Sequence, residues 1–220
     1  MTTTTSTTST RATPPVARFA GWAGIGFAVT FVAGLITVAQ VPAYDAADAD
    51  WVAWVEEDNV LTVIGTFLLI TAGLLLMAFV TSLASQVRGA VASEHDHEVA
   101  VLRGAGVIAG TTLMVAALIG GAMSAGVTFA PDFEAPGAEL IRSLDQLSLG
   151  LMLVGTGWSM AVTVALTSWA GRRSATLPGW LTTSGLVVAA ALLLSPMFLP
   201  IVFVPLWVLI TSITVLRADR

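Results

Sequence analysis

The run from Ser174 to Leu216, SATLPGWLTTSGLVVAAALLLSPMFLPIVFVPLWVLITSITVL, contains no charged residue and is bounded by Arg173 and Arg217. A membrane-spanning helix needs about 20 predominantly apolar residues, so this run is too long for one and just long enough for two short ones. Proline lacks an amide hydrogen and disfavours helix in the residue before it, so Ser195-Pro196 and Leu199-Pro200 mark the division. The pattern predicts one span over about 179–194 and another over about 200–216, with Pro205 as a kink point in the second. With two helices here the chain crosses a bilayer six times; with one, five.

Three further charge-free stretches run from Asn59 to Val87, Gly104 to Pro131 and Gln146 to Gly171. They are apolar all round, whereas a soluble surface helix carries a single apolar stripe. Only 10% of the 220 residues are charged and 56% are apolar, against roughly 25% charged in an ordinary soluble domain. Hydrocarbon is therefore the expected solvent. The fold class expected is an all-α integral membrane protein, a six-helix transmembrane bundle with spans at about 19–41, 60–83, 104–128, 147–170, 179–194 and 200–216. Residues 18–217 form this membrane domain. Residues 1–17, rich in Thr and Ser and closed by Pro14 and Pro15, read as a disordered cytoplasmic tail.

Orientation follows from the arginines, because cytoplasmic loops carry the excess of positive charge. There is no lysine, and Arg11, Arg18, Arg88, Arg103, Arg172, Arg173, Arg217 and Arg220 all fall on one side of a six-span chain, leaving Arg142 on the other. That side then receives Asp45, Asp48, Asp50, Glu56, Glu57, Asp58, Asp132, Glu134, Glu139 and Asp145. The expectation is a plasma-membrane protein with both termini in the cytoplasm and an acidic outer face. Val41-Pro42-Ala43 loosely resembles a signal-peptidase site, but the apolar run before it exceeds the usual 7 to 15 residues and contains the proline within the site itself. The first span reads as an uncleaved anchor, with cleavage as the alternative.

Thr81-Ser82 before Arg88, Thr167-Ser168 before Arg172 and Thr211-Ser212 before Arg217 close the even-numbered spans alike, while glycines at 21, 24, 104, 106 and 179 open the odd-numbered ones. This suggests three repeated helical hairpins. The run from Trp54 to Arg88, with its acidic-Asn turn, Leu-rich span and Ser-Leu-Ala-Ser before the arginine, together with Leu177-Pro178-Gly179-Trp180-Leu181 and Leu206-Trp207-Val208-Leu209, resembles an uncharacterised six-span family common in actinobacteria. The resemblance covers about residues 17–217. It implies the same topology and brings no catalytic residues with it.

Candidate sites are few. Gly104-x-Gly106-x-x-Ala109 fits the spacing of a dinucleotide fingerprint but opens a membrane helix with no strand before it. Helix packing accounts better for Gly106 and Gly110, and for Gly120 and Gly121 with Ser124 and Ala125 four residues on, since small residues let backbones approach closely. Such a helix is expected at the centre of the bundle. Ser93-Glu94-His95-Asp96-His97-Glu98 could supply metal ligands, yet there is no cysteine or third histidine to complete a closed zinc site, and a charged cytoplasmic loop accounts for it. Asp50 to Val55 reads as a capped short helix with Trp51, Trp54 and Val55 on one face, which would anchor it in the headgroup zone or lid an outer pocket. Glu139 to Leu144 resembles a second such segment leading into the fourth span. Asp58, Asn59, Asp145 and Gln146 sit at the outer starts of the second and fourth spans, where they would cap helices. With Arg142 they form the candidate external ligand site.

No acid, base or histidine falls within the hydrocarbon depth of any of these spans. Proton-coupled carriers and intramembrane hydrolases need such groups. The function expected is therefore non-enzymatic and needs no cofactor or metal. It would work through lipid, other membrane proteins, a second copy of the chain or an external ligand, and not through nucleic acid. A small uncharged-solute transporter, or a subunit of a transport complex, is the alternative, in which Gly155, Gly157, Pro196, Pro200 and Pro205 would break helices.

Overall fold

The computed structural model describes residues 15–57, 59–90, 95–130, 132–173, 177–197 and 199–218. Of the tail expected over residues 1–17, residues 1–14 lie outside them, whereas 15–17 are the start of the first helix; Asp58 and the Ser93-Glu94 start of the histidine segment also lie outside. Eight α-helices follow in order: α1 (Pro15–Val38), α2 (Asp48–Glu57), α3 (Asn59–Ala90), α4 (Asp96–Phe129), α5 (Ala138–Gly150), α6 (Gly157–Arg173), α7 (Gly179–Leu192) and α8 (Phe203–Arg217). A π-helical turn, Leu151–Thr156, joins α5 to α6 without a break, and 3-10 turns at Ser195–Met197 and Leu199–Val202 link α7 to α8. No strand occurs among the described residues.

Among the described residues, five segments are long and apolar enough to cross a membrane: Arg18–Val38, Val60–Arg88, Asp96–Phe129, Ala138–Arg173 and Pro200–Arg217. These are the dimensions of a multi-pass membrane protein. The fifth expected span, 179–194, is instead a 14-residue helix. At 1.5 Å per residue it extends about 21 Å, short of a hydrocarbon core of about 30 Å. Other limits shift as well. The third span starts at Asp96, so Asp96, His97 and Glu98 form the first turn of α4 and not a loop; acidic groups favour that position because they complement the helix dipole. The fourth helix begins at Ala138, so Asp145 lies inside a continuous helix and not just ahead of one.

The helices form a ring. In order around it, α1 packs on α3, α3 on α4, α4 on α5 and α6, α6 on α7, α7 narrowly on α8, and α8 back on α1. α1 and α3, α3 and α4, and α1 and α8 run antiparallel, as contacts at glycines show, with Gly24 also against Ser212. Gly24 faces Phe79 and Gly34 faces Leu69; Gly106 faces Val80 and Gly121 faces Thr66; Gly21 faces Leu216; Gly185 faces Ser168. All three Thr-Ser pairs lie at the end of the bundle that carries Arg18, Arg88, Arg173 and Arg217. Ser82, Thr167, Ser168, Thr211 and Ser212 are buried there. The third hairpin differs from the first, because α7 rests mainly on α6 and α8 mainly on α1.

Each long helix also presents an outward apolar stripe with helical spacing. Examples are Phe19, Trp22, Val29 and Ile36 on α1; Val60, Ile64, Phe67 and Leu74 on α3; and Val101, Ile108, Val115 and Leu118 on α4. A water-soluble monomer does not leave such continuous surface uncovered. Inside the ring, Phe27, Phe31, Leu76, Phe79, Leu102, Leu113, Met160, Val164 and Leu192 make a dense core.

Candidate functional site: an apolar cavity beneath a tryptophan helix

At the acidic end of the bundle the ring does not close. A cavity of about 670 Å³ lies between the last turns of α1, the first turns of α3, the second half of α4 and the α5–π junction. Leu35, Ile36, Val38, Leu69, Leu113, Ala116, Ala117, Gly120, Gly121, Leu149 and Met152 make its wall, Trp54 of α2 its roof and Val202 one side. Ile36 is 67% and Val202 51% exposed on the bundle's outer surface, so the cavity opens sideways between α1 and α8. Its floor is the core around Leu69 and Leu113.

Small residues create the space. Gly106 and Gly110 of α4 sit against Val80 and Met77, and Gly110 and Gly73 approach each other's backbone carbonyls, which draws α3 and α4 together over that half of their length. Further along, Gly121 is filled by Thr66 and Gly120 by Ser148. With Ala116 and Ala117 beside them, α4 presents only small side chains to the cavity beyond Leu113.

Polar groups gather toward the acidic end of the cavity. Thr62 and Thr66 lie one turn apart on α3; Asp145 and Ser148 lie one turn apart across from them on α5. The Thr66 hydroxyl donates to the Thr62 carbonyl (2.9 Å) and the Ser148 hydroxyl to the Ala116 carbonyl of α4 (2.8 Å). Their hydrogens are thereby spent and their lone pairs remain. Among the described residues the Asp145 carboxylate has no hydrogen-bond or ion-pair partner, and the wall contains no Lys, Arg or His.

One side chain makes the polar tie between the roof and α5. α2 starts with the Asp50 carboxylate accepting from the Ala47 amide (3.2 Å), one half of a capping box. Arg142 of α5 reaches across to the Asp48 carboxylate (2.7 Å) and the Ala46 carbonyl (2.7 Å), with its guanidinium 5.6 Å from the Trp51 ring centre. Trp51, Trp54 and Val55 do share one face, as the sequence suggests, but they are buried against Ala138 and Ile141 of α5 and against Met123 and Val127 of α4. Trp51 is 1% exposed and edge-on to Trp54, packed on the apolar surface that the α5 segment supplies.

Of the five residues of the expected ligand site, the three whose side chains are described have different surroundings. Asp145 faces the cavity, Arg142 is committed to α2, and Gln146 is exposed away from the lining. Asn59 opens α3, its side chain outside the described residues along with Asp58. The residues that sequence reasoning missed, Thr62, Thr66 and Ser148, carry no signal of their own, since hydroxyls on membrane helices commonly just bond back to the preceding turn.

Two other features are structural in character. The Leu153 carbonyl, released by the π turn, accepts from the Ser195 hydroxyl (2.5 Å), docking the break after α7 onto α6 beside the cavity. At the arginine end, His95 stands between Glu98 (3.4 Å) and Arg173 (3.2 Å) and edge-on to Trp169, which ties α4 to α6, while His97 is exposed. Comparison of the chain with protein-family models, curated proteins and solved structures finds no match.

Proposed function

We propose that this protein is a six-span plasma-membrane protein with both termini in the cytoplasm, and that it acts without chemistry of its own by holding an apolar or amphiphilic ligand in the cavity under α2. The observation that carries this reading is the cavity itself. About 670 Å³ lies within the range of small-molecule sites, its lining is largely apolar, and it reaches the bundle's outer surface at Ile36 of α1 and at Val202 of the 3-10 turn before α8. The ligand would enter from the surrounding lipid or from the outer face. Six crossings are supported by the clustering of arginines at one end, and by the turn and 3-10 segment after Leu192, which lengthen the short α7.

The test is to purify the protein into lipid nanodiscs and identify what stays bound by mass spectrometry, beside an Ala117→Phe variant that fills the cavity. Retention of a lipid or other amphiphile by the native protein and its loss from the variant is the expected result. If nothing is retained, and a solute crosses proteoliposomes at a rate that A117F leaves unchanged, the reading fails.

One observation favours a second reading, transport of a small uncharged solute: the α7–α8 break and the π turn of α6 meet beside the cavity, joined by the Ser195 hydroxyl. Irregular backbone at such a depth is tolerated where it lines a cavity or is buried in protein. Solute flux that A117F abolishes would select this alternative.

A further inference from the structure

We infer that the cavity selects a monocationic amphiphile, an ammonium group on an apolar tail, with the head at Asp145 under Trp54 and the tail running down toward Leu113 and Met152. The inference rests on the reading of the cavity as a ligand site and adds the chemical class of the ligand.

It follows from what the polar end can and cannot offer. An ionised carboxylate only accepts hydrogen bonds. The two hydroxyls flanking it have spent their hydrogens on the Thr62 and Ala116 carbonyls and present lone pairs. A ligand head that donates, and carries positive charge, satisfies these groups together. One that only accepts, such as a carboxylate or phosphate, meets like charge and finds no basic residue in the wall.

The protein's own cation does not fulfil this role. Arg142 lies one helical turn from Asp145, close enough in sequence to pair with it, yet its guanidinium is turned to Asp48, the Ala46 carbonyl and the Trp51 ring. Among the described residues Asp145 is left without a partner in a largely apolar wall. Such a group is costly unless something compensates it. A zwitterionic phospholipid fits less well than a simple amine, because its phosphate would have no partner.

The probes are n-dodecylamine, n-dodecanol and laurate, which share one tail and differ in the head, titrated against the full-length protein in phosphatidylcholine nanodiscs at pH 7 with bound mass read by native mass spectrometry. The amine, charged at this pH, is expected to bind at least about tenfold more tightly than the alcohol, as a charge-assisted hydrogen bond would provide, and laurate more weakly than either. Asp145→Asn should erase the amine's advantage while leaving dodecanol binding within about twofold, which also shows that the variant is folded. Doping the nanodiscs with phosphatidylethanolamine should not displace the amine.

Equal binding of amine and alcohol to the native protein overturns the inference while leaving an apolar ligand site in place. So does an amine preference that D145N preserves, or efficient displacement by phosphatidylethanolamine. Failure of all three probes to bind, with A117F indistinguishable from the native protein, removes the ligand site itself.

Discussion

Arg142 concentrates several interactions in one side chain, and their magnitudes decide which matters. Its ion pair with Asp48 is short, but the Asp48 side chain is 80% exposed, and exposed pairs contribute about 0–1 kcal/mol. The bond to the Ala46 carbonyl is made by a mostly buried guanidinium, and a hydrogen bond to a charged group contributes about 1.5–3 kcal/mol. We therefore expect Asp48→Asn to be nearly silent and Arg142→Met to loosen α2, raising amide hydrogen exchange across residues 48–57 by at least about tenfold. Equal effects of the two variants would show that the ion pair, and not the carbonyl bond, holds the roof. Asp145 illustrates how a position can mislead: at the start of the fourth span its sequence context reads as a helix cap, and only the neighbouring wall turns it into a cavity residue.

Among the elements, α4 has the most demanding surroundings. Gly110 has Met77 and the Gly73 carbonyl where a side chain would go, so Gly110→Leu must push α3 and α4 apart. Overpacking of this kind costs about 1–3 kcal/mol. The expected outcome is a lower melting temperature in detergent, whereas Gly104→Leu, with open space at its Cβ, should melt as the native protein does. The contact between the π turn and the end of α7 makes a milder prediction. Ser195→Ala leaves the Leu153 carbonyl without its donor, and hydrogen bonds in membrane proteins average about 0.6 kcal/mol with an upper end near 1.7. A shift of a few degrees is expected; a shift as large as that of G110L would mean that the break contributes more to the fold than this one bond.

For the whole molecule, cysteine labelling tests whether α7 crosses. The chain has no cysteine, so single reporters can be introduced without background. If all six segments cross, Met197→Cys should react with an impermeant maleimide added to intact cells, and Leu177→Cys and Ala218→Cys should react only after lysis. Labelling of Ala218→Cys from outside would leave five crossings. The same cells would show whether the first span is retained, by the mass of the mature chain.

Much of this architecture was legible in the sequence, because burial in hydrocarbon imposes its requirement on each helix separately. A run of some twenty apolar residues declares itself without reference to any neighbour, as Val60–Arg88 does. Glycines at 106, 110 and 121 announce close approach on α4, though not which helix approaches. What the sequence could not convey were features made by several helices at once. Trp51 and Trp54 have the composition of headgroup anchors, and only the placement of α5 across them buries their rings in protein. Arg142 and Asp145 are separated by one turn of the same helix, and nothing local tells that one turns to α2 and the other to the cavity. The cavity itself is the space that α1, α3, α4 and α5 fail to fill, and an unfilled volume belongs to no single stretch of chain.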